Sequence, residues 1–298
     1  MTKINLTKKY PSKLLLFGEH TVLKGSQALA IPLPNFYGQW AYTADLSKQM
    51  NLAQFADYLA IQFPDFFDID AFQEALAKGL YFESNIPTGY GVGSSGALVA
   101  AVFDTFSKDK SRVLKTDLKA FFGKMESFFH GASSGVDPLI CYLEENILLE
   151  GMTKMETVEL PDFSKMGDWT LFLLDTKMPR KTGPLVNLFL EKCENPRYLF
   201  SIKSSEPSIR NAIDSFIKGN WYILFELFHF ISINQTLYFS EMIPDTFKDV
   251  WKAGTMGSFY KLKLCGAGGG GFILGITHDF ERTKKVLKDW ELKPLFQN

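Results

Sequence analysis

Charge of one sign is missing from this sequence. Its 32 lysines and arginines nearly cancel 33 aspartates and glutamates, leaving a formal net charge of -1. That balance supplies no field to gather nucleic acid or an anionic membrane. Cysteine is scarce: Cys141, Cys193 and Cys265 stand far apart and odd in number. They argue against a disulfide framework and suit a reducing compartment. No CxxC or Cys/His spacing points to zinc. Long apolar runs are also lacking. Leu14–Phe17 is too short for a signal core and runs into Gly-Glu-His, and no stretch approaches the ~20 apolar residues of a membrane span. The expectation is a cytoplasmic protein with neither nucleic acid nor membrane as partner.

Phenylalanine is what the chain has in excess. Aromatic residues make up 15% of the 298 residues, and 28 of them are Phe. Without interleaved basic residues, these read as a Phe-rich core rather than a base-stacking surface. The hydrophobic share of 46% and the charged share of 22% are those of a globular protein. The length allows one large domain or two ordinary ones.

Short strands are expected at Lys13–Phe17, Ala28–Leu33 and Gly38–Thr43, then a helix over Leu46–Phe63, where Leu52, Phe55, Leu59 and Phe63 repeat at helical spacing. A short helix at 70–80 and a strand at 81–86 lead to Pro87-Thr88-Gly89, a break. A small-residue helix follows at Ser94–Phe106, then one at 116–129 with Thr116 or Asp117 as cap, and a short one from Val136. Gly151, Pro161, Asp162 and Gly167 interrupt polar sequence, placing a boundary between residues 1–165 and 166–298. Beyond it, Thr170–Leu174 reads as a strand, and helices are expected at 183–194, 206–217, 220–239 and 245–256. Strands at 261–264 and 272–277 flank a glycine cluster, and a helix at 280–290 closes the chain.

The chemistry concentrates at Gly89-Tyr90-Gly91-Val92-Gly93-Ser94-Ser95. Alternating glycines let the backbone approach a ligand and turn successive N–H groups toward one place. The helix start that follows offers free donors and partial positive charge, which suits phosphate. A tight strand–helix turn packed by its glycines accounts for the same pattern equally well. A P-loop is excluded, because no lysine sits here. The dinucleotide fingerprint fits poorly: the third glycine falls one position early, and no strand precedes Asp109.

Three segments in order resemble the GHMP family of small-molecule kinases: Pro11-Ser12-Lys13 through Gly18-Glu19-His20, the loop at 89–95, and Cys265-Gly266-Ala267-Gly268-Gly269-Gly270-Gly271. Glu126, the run from His130 to Asp137, and Asp175–Thr182 make the chain most similar to the mevalonate-kinase branch. Ser133 stands where the family has Pro, and Gly96 where Ala is common after the paired serines. The resemblance implies an α/β (α+β) two-domain fold with the site in the cleft between domains. It implies transfer of the γ-phosphoryl of ATP to the primary hydroxyl of mevalonate, with Mg²⁺; other alcohols of the family (a sugar, homoserine, phosphomevalonate) and a non-catalytic scaffold protein are the alternatives. A homodimer is left open.

Carried over residue by residue, the resemblance makes Asp137 the group facing the substrate hydroxyl and Lys13 its partner. Residues 89–95 hold the nucleotide, Ser95 and Glu126 the metal, and Glu19, His20, Arg180, Thr182, Gly268 and Gly269 the substrate. Read from residues alone, Asp137 before Pro138 is an ordinary helix-start aspartate. Lys13 is the odd one: an ammonium in an apolar strand asks for a partner, unless it faces water from an edge.

Overall fold

The computed structural model describes residues 2–151 and 153–296. The chain divides into two compact units, both discontinuous in sequence. The first comprises residues 1–13, 32–87 and 92–145; the second 14–31, 88–91 and 146–298. Sequence had suggested two contiguous halves.

Strands β1 (Tyr10–Phe17) and β2 (Gln27–Tyr42) each run from one unit into the other. Two separate strands were expected where β2 is continuous. Its two ends carry different ladders: Gly38–Tyr42 pairs antiparallel with β3 (Leu80–Ser84), and Gln27–Ala30 with β4 (Ile147–Glu150). Pro32 and Pro34 lie between those ladders, where neither needs their missing N–H.

The first unit packs five helices around phenylalanine: α1 (Leu52–Gln62), α2 (Ile69–Ala77), α3 (Ser94–Phe106), α4 (Leu118–His130) and α5 (Val136–Leu143). Phe55, Phe72, Phe103, Phe106 and Phe122 are wholly buried, as the composition led one to expect. Phe72 stacks on Phe106 with ring centroids 4.2 Å apart. Gly96 lets α3 approach α5, since a Cβ there would come within 2.9 Å of the Asp137 backbone. That close approach accounts for glycine at this position.

In the second unit β4 pairs with β5 (Lys154–Thr157). A four-stranded antiparallel sheet has the order β7 (Tyr260–Leu264), β8 (Phe272–Thr277), β6 (Thr170–Asp175), β9 (Glu291–Leu295). Helices α6 (Thr182–Lys192), α7 (Pro196–Ser204), α8 (Glu206–Ile217), α9 (Trp221–Tyr238), α10 (Lys248–Met256) and α11 (Phe280–Val286) complete it. Its core joins Phe172, Phe189, Trp251, Tyr260 and Leu262. The last helix ends at Val286 rather than 290, and the chain returns to the sheet as β9, which pairs with β6. No helix among the described residues is long and apolar enough to cross a membrane.

Candidate active site

Lys13 is not an edge lysine facing water. It is 7% exposed, and its Nζ lies 3.0 Å from Asp137 Oδ1. Its backbone N–H donates to Val92 O at 3.0 Å, which ties β1 to the glycine loop. Gly93, at the cap of α3, has φ 81°. A Cβ there would press on the Lys13 stem at 3.0 Å, so glycine keeps both the left-handed turn and room for the lysine.

Beside this pair stands a buried carboxylate. Glu126 is 4% exposed on α4. Ser95 Oγ donates to its Oε1 at 2.8 Å, and Ser133 Oγ donates to its Oε2 at 2.5 Å. Ser95 Oγ is also hydrogen-bonded to His130 Nε2 at 2.9 Å. Burial, and then the charge of Asp137, push the Glu126 carboxyl up to about 7, against the two serine hydrogen bonds and Lys13. Ser133, the departure from the family pattern, thus binds the same carboxylate as Ser95. Its hydroxyl also accepts from Gly135 N at 3.0 Å, bracing the turn before α5.

The first half of the glycine loop, 88–91, belongs to the second unit. Gly89 O accepts from Arg180 N at 2.8 Å. The Arg180 guanidinium fills the space a Cβ on Gly91 would need, and donates to Gly268 O at 2.8 Å and Cys265 O at 3.4 Å. Arg180 therefore clamps the loop to the 265–271 turn. Tyr90 Oη donates to Asp175 Oδ1 at 3.0 Å, and its ring meets the edge of Phe272 at 5.0 Å. Burial, then the Asp175 hydrogen bond, raise the Tyr90 hydroxyl to about 12, so it remains a donor. Gly268 and Gly269 take φ 77° and 75°. Thr182, exposed at the start of α6, takes no part in these hydrogen bonds.

Glu19 and His20 are each only 5% exposed. Glu19 Oε1 lies 2.8 Å from Lys263 Nζ and accepts from Gln235 Nε2 at 2.5 Å. His20 Nε2 is hydrogen-bonded to Ala267 O at 3.0 Å, with its ring 5.1 Å from Phe189 and 5.6 Å from Phe239. Burial above all lowers its pKa to about 4 and keeps it neutral. Sequence reasoning missed Lys263 and Gln235, and it named His130 only as the start of the run to Asp137, with no role at the site. Lys263 gave the same signal as Lys13, an ammonium in an apolar strand.

The two shifted groups pull stability in opposite directions with pH. Glu126, raised from 4.5 to about 7, favours folding fully below 4.5 and loses that contribution as pH rises through 7. His20, lowered from 6.5 to about 4, contributes fully above 6.5 and loses it as pH falls toward 4. Glu126→Gln removes the first trend. The urea midpoint of that variant is expected to rise with pH between 5 and 6.5 more steeply than that of the unaltered chain; an unchanged slope counts against a buried, proton-binding Glu126.

Residues 55–145 match the family model described as GHMP kinases N terminal domain. No curated protein matches the chain by sequence. Among solved structures, the Streptococcus pneumoniae phosphomevalonate kinase superposes with a TM-score of 0.66 at 17% identity, over 99% of both chains. The same protein is matched in its complex with phosphomevalonate and AMPPNP. The L. major mevalonate kinase in complex with R-mevalonate gives 0.66 at 17% identity, over 97% of this chain and 93% of that one. The Lactococcus lactis galactokinase complexed with galactose gives 0.64 at 16%, over 96% and 92%. These likenesses establish the fold, which is that expected from the motifs.

Proposed function

We propose that this chain, which carries a GHMP kinase N-terminal domain within the GHMP-kinase fold, transfers the γ-phosphoryl group of ATP to the primary hydroxyl of mevalonate, giving 5-phosphomevalonate. The observation that carries the reading is the Lys13–Asp137 pair, 3.0 Å apart beside the glycine loop. Phosphoryl transfer asks a protein mainly to position groups and balance charge. Asp137 accepts the hydroxyl proton or orients the hydroxyl for attack. Lys13 pairs with Asp137 and offsets charge developing on the acceptor oxygen. The N–H groups at the start of α3 supply donors for phosphate.

Mg²⁺ fits the oxygen set at Ser95 and Glu126. Magnesium uses one or two carboxylates with phosphates and water, so no cage of acidic side chains is required. Held there by Ser95 and Glu126, it would supply positive charge to offset that of the phosphates. Glu126, with its proton held by burial, would give that proton up to bind the ion. Arg180 and Tyr90 act one step back, fixing the backbone of residues 89–91. The buried cysteines at 141, 193 and 265 accord with a reducing, cytoplasmic setting.

Phosphomevalonate is the second reading, because its kinase superposes as well as mevalonate kinase does, at 0.66 each. The test is ADP release, coupled to a reporter, with mevalonate, phosphomevalonate, galactose and homoserine in turn. Turnover with mevalonate is expected. Turnover with one of the others alone would replace the substrate, and release with none of them would remove the kinase reading for these alcohols.

A further inference from the structure

Ser133 is where this chain leaves the family pattern, and the proline of that pattern has no hydroxyl. Here the hydroxyl does two things at once. It accepts from Gly135 N at 3.0 Å and donates to Glu126 Oε2 at 2.5 Å. A serine has one proton to give. The bond from Gly135 holds the side chain in its turn and leaves that proton for Glu126. Glu126 is 4% exposed, so little water is at hand to take the place of this donor.

The two oxygens of Glu126 are therefore unequal. Oε2 is held by the turn before α5. Oε1 faces Ser95, whose Oγ lies 2.8 Å away at the start of α3. Asp137, the neighbouring carboxylate, has its Oδ1 3.0 Å from the Lys13 ammonium. Among the described residues, no group of three or more histidine, cysteine or acidic side chains is placed to hold a metal ion. A divalent cation at Ser95 and Glu126 thus finds few oxygens from the protein.

We propose that Ser133 is a positioning residue that sets which cation this site takes: by holding Oε2 it presents Glu126 through Oε1 alone, and so favours Mg²⁺ over Ca²⁺. The proposal rests on the assignment of Ser95 and Glu126 to the metal. Magnesium is small, keeps several waters, and needs only one or two carboxylates. Calcium is larger, takes roughly six to eight oxygens, and gains from a carboxylate that offers both of its own. Groups behind a ligand fix its orientation, and removing one changes metal affinity by about tenfold or more. Since proline has no hydroxyl to give, this restraint belongs to the present chain and not to the family pattern.

The test uses Mn²⁺ bound to the full chain with ADP, followed by electron paramagnetic resonance and displaced by Mg²⁺ or by Ca²⁺. The unaltered chain is expected to yield Mn²⁺ to Mg²⁺ at the lower concentration. Ser133→Ala frees Oε2 and is expected to shift the ratio of the two displacement constants about tenfold toward Ca²⁺. Ser133→Pro places the family residue there and is expected to shift the ratio the same way; circular dichroism checks the fold of each variant. A ratio that stays within about twofold of the unaltered chain in a folded variant overturns the proposal, and Ser133 then only braces its turn. So does an unaltered chain that yields Mn²⁺ to Ca²⁺ as readily as to Mg²⁺. Glu126→Gln tests the underlying assignment separately. It is expected to release Mn²⁺; an ion held as tightly without the carboxylate overturns the metal assignment, and this proposal with it.

Discussion

Asp137→Asn is expected to leave nucleotide binding intact and to lower kcat by about 10²–10⁴-fold, the usual share of a positioned proton acceptor. The amide keeps the shape and one hydrogen-bonding oxygen, so Lys13 retains a partner at the 3.0 Å position. What is lost is the charge. An amide does not take a proton from an alcohol, and it does not balance the Lys13 ammonium. Asp137 is about a third exposed, so solvent screens the broken ion pair and the stability cost stays near that of a surface pair, about 1 kcal/mol or less. Function and stability therefore separate in this variant. The checks are kcat with the preferred alcohol, nucleotide affinity by titration, and the urea midpoint. A variant that turns over within threefold of the unaltered chain removes Asp137 from the reaction. A large loss of nucleotide affinity would place it in nucleotide binding instead.

How far this site was legible in the sequence depends on how local its signals were. Helices α3 and α8 begin and end where expected, at 94–106 and 206–217. Each is punctuated locally, α3 by Gly93 at its cap and α8 by Pro207 in its first turn. Helix α7 was missed although its start is written plainly. Asn195 Oδ1 accepts from Arg197 N and Tyr198 N, and Pro196 takes the first helical position. The continuity of β2 was hidden by its prolines, because only the pairing pattern reveals that they fall between the β4 and β3 ladders. Lys13 announced itself as a misplaced ammonium. Asp137 did not, and only its likeness to a family segment raised it above a helix-start aspartate. The contact of Ser133 with Glu126 needed the turn after α4 to fold back onto that helix. Gly96, seen in sequence only as a departure, is explained once α5 lies against it. Glu19 and His20 were legible as a motif, but their burial depends on Lys263, Gln235 and Ala267, far along the chain.

Lys263→Met is expected to destabilise the second unit by about 3–5 kcal/mol, the cost of stranding a buried charge. Lys263 is 1% exposed and Glu19 5%, so neither has water to fall back on. The ammonium is fully engaged: besides Glu19 it donates to Leu16 O at 2.8 Å and Leu264 O at 2.6 Å. Glu19 is less well placed, since its Oε2 is buried without a hydrogen-bond partner among the described residues. Methionine fills the stem of the lysine but takes away the compensating charge and leaves both carbonyls without that donor. If the unpaired carboxylate dominates, Glu19→Gln should relieve most of the loss in the double variant Lys263→Met/Glu19→Gln, giving a coupling energy of about 2–3 kcal/mol in a double-mutant cycle. Gln235 shapes that outcome, because its amide already bridges Glu19 Oε1 and Leu264 N, donating to the first and accepting from the second at 2.7 Å. Urea unfolding of the four chains gives the cycle. A single-variant loss below about 1 kcal/mol would mean that the pair behaves as a surface ion pair despite its burial. Additive losses would assign the cost to the unmet carbonyls rather than to the stranded carboxylate. His20 follows Glu19 directly, and its ring is seated between Phe189 and Phe239. Loosening Glu19 should therefore loosen the hydrogen bond from His20 to Ala267, and with it the turn at 265–271 that Arg180 clamps to the glycine loop. Lys263→Met is accordingly expected to raise KM for the nucleotide even at temperatures where the chain remains folded.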